Sequence, residues 1–412
     1  LLYKENVDDT QPQTSMSSSI EIKKQGTFTA IINFMNTTLG SGILLLPYVM
    51  MVCGWSIGLL ITLFFCVLST WTYTILIRVS EYSKSFEFDK LCNALFPKWV
   101  GVLAQACSMM FTLGCMISYA IVIRDNFFFF QFINDTPENI QLYKNLLLAA
   151  VMLFIVLPLC FIPNLSSLKY NSYLVVAVVI YLIIVCAYIL SQNQSKNIEP
   201  EIVPIQYSAG VLSALPLMTH AFNCQYNFLN IYKELDQREK NVKKVVLSNS
   251  TLVLLIYFAL GLLGYLSYGQ NTMSDILLNL AQETGPLAQI ANGAMILYIV
   301  CSQPLMVYSF RKSFESLFLK QTKKYTIYVI SSCLVVSTTL LGMFIPAVDT
   351  ILSFTSGLAG GTLGFVITGF LGWKLGVVGE VTKQKVEGMI FVVLGIAITA
   401  FGFGMAIVNV IK

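Results

Sequence analysis

The chain has 412 residues, of which 56% are hydrophobic and 11% charged, with a formal net charge of +4. A soluble domain carries roughly 25% charged residues, so the composition excludes a chain wetted on all sides. Its apolar residues run in long blocks without the period-2 alternation of a transmembrane barrel, which leaves an all-α integral membrane protein.

Residues 1–26 are polar and include Thr14, Ser15, Ser17, Ser18 and Ser19; they read as a disordered cytoplasmic tail. Residues 27–412 read as one transmembrane domain. No charged segment followed by a cleavable apolar stretch precedes it, so the first apolar block is a retained helix. A helix needs about 20 consecutive apolar residues to cross a bilayer. Blocks of that kind predict eleven spans, at 27–52, 55–77, 100–123, 145–162, 172–190, 209–232, 245–268, 287–309, 325–346, 350–373 and 388–411. Polar residues at Cys53–Ser56 and Pro346–Asp349 supply the two tightest turns.

Lys and Arg orient these spans. With the N-terminus cytoplasmic, all but four of the 25 basic residues fall on the inner side, the exceptions being Arg124, Lys144, Lys196 and Lys412. The C-terminus is then extracellular or lumenal, with a vacuolar, lysosomal or plasma membrane all open. The same bias accounts for the positive charge without a nucleic-acid partner. In the inner loop 80–98, Phe86, Phe88, Leu91, Leu95 and Phe96 alternate with charges. That pattern fits either a helix lying in the membrane interface or a packed loop.

Eleven spans fit two five-helix repeats of inverted topology plus one helix, with discontinuous helices in corresponding positions of each half. Spans 1 and 6 are therefore where a site is expected. Span 1 contains Asn36, Gly40, Ser41, Gly42 and Ile43, ahead of Pro47. Glycine weakens a helix and lets the backbone open, and irregular backbone at membrane depth is tolerated only beside a protein cavity. A break there exposes the amides of Ser41, Gly42 and Ile43 as an anion site, suited to a carboxylate. The alternative is that Gly40-Ser41-Gly42 is a small-residue packing face. Span 6 holds the chain's only histidine, His220, among Thr219, Phe222, Asn223, Cys224 and Gln225. Freed carbonyls there suit an ammonium group, with Phe222 as a cover. His220 is either a hydrogen-bonded packing residue or a proton-coupling group.

No Asp, Glu, Lys or Arg falls near the middle of any predicted span. Carriers of metal cations and proton pumps place charge in the path. A substrate that brings both charges itself, such as a zwitterionic amino acid, fits a neutral path better. No CxxC pair occurs among the ten cysteines, which argues against structural zinc. An enzyme needs placed acids, bases or nucleophiles, and one histidine without a carboxylate at membrane depth leaves little to work with.

At these residues the sequence resembles the amino acid/auxin permease family, in particular its sodium-coupled neutral amino acid and vacuolar amino acid transporter branches. The resemblance rests on Asn36-x-x-x-Gly40-Ser41-Gly42-Ile43-Leu44-x-x-Pro47, Gly114-x-Met116-x-Ser118-Tyr119, Phe222-x-Cys224 with Ile231-Tyr232-x-Glu234-Leu235, and Gly264-Tyr265-Leu266-x-x-Gly269. Pro346, Phe354 and Gly357 continue it. It implies a LeuT-type fold and a secondary transporter of small neutral amino acids, with substrate between unwound spans 1 and 6. The implied substrate contacts are Asn36, Gly40, Ser41, Gly42, Ile43, Tyr119, His220, Phe222 and Asn223. It implies no cofactor beyond a coupling ion, sodium or a proton, and places a sodium site at Asn36 and Ser302. Two departures stand out: Gln225 occupies a position where relatives often carry His, and loops 124–144 and 191–208 lack cysteine. The alternative function is an amino-acid sensor built on the transporter fold.

Overall fold

The computed structural model describes residues 24–127, 135–161, 169–207, 209–319 and 324–411. Of the tail expected over residues 1–26, residues 1–23 lie outside them, and Gln25 is paired with Leu235. Regular structure among the described residues is helical, apart from one parallel bridge between Gln25 and Leu235.

In chain order, α1 (Thr27–Thr38) leads through a 3-10 turn at Ser41–Leu45 into α2 (Leu46–Cys53), followed by α3 (Trp55–Ser83), α4 (Phe88–Leu95) and α5 (Lys98–Asp125). Then come α6 (Pro137–Val151), a π-turn leading into α7 (Leu157–Cys160), α8 (Lys169–Ser195), α9 (Ala214–Phe222), α10 (Gln225–Glu234) and α11 (Arg238–Tyr268). The short α12 (Ile276–Ala281) precedes α13 (Pro286–Phe318), α14 (Lys324–Phe344), α15 (Val348–Thr355), α16 (Thr368–Val378) and α17 (Thr382–Ile411). Between α15 and α16 the chain is wound as π-helix at Ser356–Gly360 and Thr362–Ile367.

Among the described residues, nine helical stretches are long and apolar enough to cross a membrane, and the pair α1 and Ser41–Cys53, bent by 55°, makes a tenth. The sixth span expected from sequence is represented by α9 and α10, with Asn223 and Cys224 non-helical between them. Neither half is long enough to cross alone, and Gln225, Asn227, Asn230, Lys233 and Glu234 make α10 polar. Outward-facing residues such as Leu60, Phe154, Leu255 and Val393 are exposed, as a lipid-facing surface requires. The opposite faces bury Tyr73, Tyr119, Tyr257 and Phe365. In hydrocarbon every backbone group must be satisfied within the protein, which is why helices carry most of the described residues.

The two short helix pairs are fastened to each other at both ends. Before α1, the Gln25 N–H donates to the Glu234 carbonyl at 2.8 Å, and the Asp236 N–H donates to the Gln25 carbonyl at 2.9 Å. After α2, the Gln206 N–H donates to the Cys53 carbonyl at 2.9 Å and the Ser56 N–H to the Pro204 carbonyl at 3.1 Å. Gly54, between those contacts, has φ +79°, a conformation that favours glycine. A Cβ there would also lie 2.7 Å from the Pro204 carbonyl. The segment around α4 is packed: Leu91 and Cys92 are fully buried, and the Arg238 guanidinium lies 4.3 Å from the centre of the Phe86 ring.

Arg124, one of the four basic residues assigned outside by the orientation rule, is buried. Its guanidinium donates to the carbonyls of Gly342, Ile345 (2.9 Å) and Pro346 (3.2 Å) and pairs with Asp125 at 2.7 Å, closing the open end of α14. Nearby, the buried Asp275 caps α12. One carboxylate oxygen accepts from the Leu277 N–H at 2.9 Å and the other from the Asn126 amide at 2.7 Å.

Burial pushes the Asp275 carboxyl up to about 7, helped by the charge of Asp125 and opposed by those two hydrogen bonds. The folded chain therefore holds a proton that the unfolded chain releases near 3.8. Its stabilisation is complete below that value and is lost as pH rises through about 7, by up to about 1.4 kcal/mol per pH unit. Amide exchange over Ile276–Ala281, corrected for intrinsic rates, should be slower at acid than at alkaline pH, and Asp275→Asn should flatten that dependence. Equal protection across this range in the native protein would contradict the assignment.

Candidate substrate site at the two helix breaks

The break after α1 falls at Leu39 and Gly40, where Gly40 is extended (φ −69°, ψ −153°). The chain re-enters helical geometry at Ser41, with the Ile43 N–H closing onto the Gly40 carbonyl at 3.3 Å and Pro47 at the start of α2. Proline suits the first turn of a helix because its missing N–H would be unpaired there anyway. The Thr38 carbonyl accepts from the Tyr257 hydroxyl at 2.8 Å and the Leu39 carbonyl from the Tyr298 hydroxyl at 3.2 Å.

The break after α9 falls at Asn223 and Cys224. Here the Phe222 carbonyl accepts from Ser69 at 3.3 Å, and the Tyr73 hydroxyl is hydrogen-bonded to the Cys224 sulfur at 2.7 Å. The same Tyr257 hydroxyl lies 2.7 Å from the Ala221 carbonyl. A phenol has one proton to donate, so one fully buried hydroxyl serves the freed carbonyls of both breaks and cannot saturate both.

Between the breaks runs a line of neutral polar side chains. The Ser118 hydroxyl donates to the Ser41 hydroxyl at 3.0 Å. Ser41 is hydrogen-bonded to His220 Nε2 at 3.2 Å, and His220 Nδ1 to the Ser356 hydroxyl at 2.8 Å. All four residues are buried, and the Phe111 ring lies 5.2 Å from the imidazole. With both ring nitrogens engaged, His220 joins the first break to the π-wound segment after α15.

The two glycines of the first break differ. A Cβ at Gly42 would lie 2.8 Å from Ala221 Cα and 3.1 Å from His220 Cδ2, so glycine there lets α9 pack against the turn. A Cβ at Gly40 would meet only the Tyr119 hydroxyl, at 3.3 Å. Ile43 is fully buried, and its amide is committed to Gly40. Phe222 is buried with its ring 5.0 Å from that of Tyr257. Asn223 is buried at the second break, and neither atom of its amide has a partner.

Asn36 and Ser302 meet through two neighbours on α8. The Asn36 amide donates to the Ser172 hydroxyl at 3.1 Å, and the Asn171 amide donates to the Ser302 hydroxyl at 3.0 Å. The Asn171 side-chain oxygen is buried without a partner. This gathers neutral oxygen-bearing side chains from α1, α8 and α13. Tyr298, whose hydroxyl donates to the Leu39 carbonyl at 3.2 Å, lies one helical turn before Ser302 on α13, so the group adjoins the first break.

The structure thus draws Gly40, Ser41, Gly42, Tyr119, His220, Phe222 and Asn223 around the two breaks and sets Asn36 with Ser302 beside them. Sequence reasoning assigned no role to Ser356, Asn171, Ser172, Tyr257 or Tyr298. Ser118 was present only within a motif.

A fold of this kind, a helical bundle built around two interrupted segments, belongs to membrane transporters. Residues 23–411 match the family described as transmembrane amino acid transporter protein, and the chain belongs to that family. It is 24% identical over 383 residues to amino acid transporter AVT6E of Arabidopsis thaliana, covering 85% of this chain and 76% of the relative. It is 25% identical over 387 residues to sodium-coupled neutral amino acid transporter 7 of Danio rerio, covering 87% of this chain and 81% of the relative. Among solved structures, MhsT in complex with L-phenylalanine superposes with a TM-score of 0.62 at 14% identity, covering 93% of this chain and 99% of the other. The fold is of the LeuT type.

The glycine geometry makes a contrast that can be measured. Gly42→Ala should lower the melting temperature of the purified protein, because the methyl meets fixed backbone, at a cost of about 1–3 kcal/mol. Gly40→Ala should cost less, since only one hydroxyl must yield. Equal melting of the two variants would contradict the packing described for Gly42.

Proposed function

We propose that this chain is a sodium-driven secondary transporter of small neutral amino acids, working by alternating access. In this reading eleven spans are arranged as two inverted five-helix repeats plus one helix, with spans 1 and 6 discontinuous. The N-terminus is cytoplasmic and the C-terminus extracellular or lumenal. The observation that carries the reading is the pairing of two helix breaks in a buried site lined by neutral groups. At one side the chain re-enters helical geometry with the Ser41 and Gly42 amides leading, which favours a carboxylate. At the other, the Thr38 and Ala221 carbonyls share one tyrosine proton. An ammonium group brings three donors and supplies what that hydroxyl cannot. A zwitterion matches both needs without any charged side chain.

The residues around Ser302 fit a sodium ion. Asn36, Asn171, Ser172 and Ser302 offer neutral oxygens, the chemistry that hard cations prefer, and the unpartnered Asn171 oxygen supplies an acceptor to spare. The Danio rerio relative is named for sodium coupling and neutral amino acids, which agrees with both halves of the reading. His220, held by hydroxyls on both nitrogens, then orders the site and carries no proton across.

The test is uptake by purified protein in vesicles, with an amino-acid panel and with sodium and proton gradients imposed separately. Uptake should follow the sodium gradient, and Asn171→Ala should raise the half-saturating sodium concentration about tenfold, or about 1.4 kcal/mol. Uptake that ignores sodium, rises toward acid pH and loses that response in His220→Gln would replace sodium with the proton. Absence of uptake of every amino acid would overturn the transporter reading.

A further inference from the structure

Helix α17 has two unlike faces. Toward the rest of the protein it carries Gly388, Gly395 and Gly402, and a seven-residue spacing keeps residues on one side of a helix. A Cβ at Gly388 would collide with the Trp373 backbone, and one at Gly395 would lie 2.8 Å from the Val366 nitrogen. From α16, Gly369 lies as closely against the Val392 backbone, where a Cβ would stand 2.7 Å from its nitrogen. Small residues of this kind are what close contact between membrane helices selects. This face is fully occupied by protein.

The opposite face is open. Val386, Met389, Ile390 and Val393 are between 45% and 62% exposed, and with Lys385 and Leu394 they line a groove of about 490 Å³. From Val386 to Leu394 the groove runs about 12 Å along the helix axis, within a stretch apolar enough to cross a membrane. Lys385 closes the end at which α17 begins. Glu387, the acid next to it along the helix, is buried and paired with Arg78 of α3 at 2.6 Å, and Glu380 sits in the turn before the helix. Lys385 itself takes part in no ion pair among the described residues.

Two features decide what covers the groove. A second copy seated on it about an axis along the membrane normal would bring like residues to like depth, setting Lys385 against Lys385. The open face also lacks the small residues that let membrane helices approach each other. A phospholipid meets neither obstacle. Its acyl chain fills the apolar run, while a negative headgroup meets the lysine at the membrane surface, where long basic side chains reach. We propose that the groove on α17 binds an anionic phospholipid, with the headgroup on Lys385 and an acyl chain along Met389, Ile390 and Val393.

The test compares phosphatidylglycerol with phosphatidylcholine of the same acyl chains, each added to the purified full-length chain in detergent. Native mass spectrometry should show the first phosphatidylglycerol bound at about fivefold lower concentration than the first phosphatidylcholine, the effect of one lysine at the surface. Lys385→Gln keeps most of the side chain and removes the charge, so it should bring the two lipids level while leaving the melting temperature without lipid unchanged. Met389→Trp fills the groove and should weaken both lipids alike. Equal binding of the two lipids by the native protein, or a preference that survives Lys385→Gln, would overturn the proposal. So would efficient cross-linking in membranes between copies carrying a single cysteine at position 393, which would seat a second copy in the groove instead.

Discussion

Two helix breaks buried in the protein interior release backbone groups that water cannot reach, and their satisfaction is the constraint on which this fold depends. Leaving a carbonyl unpaired at that depth costs several kcal/mol. The protein meets the demand with side chains from unbroken helices. Tyr257 on α11 and Tyr298 on α13 reach the end of α1, Tyr257 reaches the end of α9, and Ser69 on α3 takes the Phe222 carbonyl. Each donor sits in the interior of a long helix, α3, α11 or α13, away from that helix's own ends. Tyr257 binds the two interrupted segments together by standing at the end of both.

The same two segments are fastened above and below the breaks. Gln25 ties the start of α1 to the end of α10, and the connector around Gln206 ties the end of α2 to the approach of α9. Held at three levels, the two interrupted segments are coupled mechanically, whatever they move against. Gly42 lies against the Ala221 backbone, and Gly264 of α11 lies against the Pro47 ring, so packing is set by steric contact. Under the proposed function, opening of the site is a displacement of this pair relative to α5, α13 and the π-wound segment near Ser356, which the Ser118–Ser41–His220–Ser356 line joins in this structure.

The sequence was most informative where chemistry is local. Gly40, beside Ser41 and Gly42, marks a place where the helix is weak or closely packed, and a histidine with two amide residues in an apolar run marks a second polar stretch. The chain's helical class and the placement of its apolar stretches follow from block length alone. The sixth segment shows the limit: a polar half following a break adds length to an apolar block on paper, while in space it forms a separate short helix. Tyr257, Ser356 and Asn171 were illegible for a different reason. A tyrosine or serine in an apolar helix has the same local signature whether it faces lipid or a neighbour, and their partners lie 36 to 219 residues away along the chain. Gly42 was legible as a glycine that something approaches; that this something is Ala221 required the tertiary structure.

The central claim is that the space between the breaks, bordered by Ser41, His220 and Ser356, receives an amino acid. Alkylation of a single cysteine at position 356, in a protein whose other reactive cysteines have been replaced, reads that space directly. The account predicts that a transported amino acid slows the reaction in proportion to its occupancy, while an amino acid that is not transported leaves the rate unchanged. A reaction at position 356 that proceeds at one rate with and without saturating substrate, in protein still able to carry it, would place the substrate elsewhere and contradict the account.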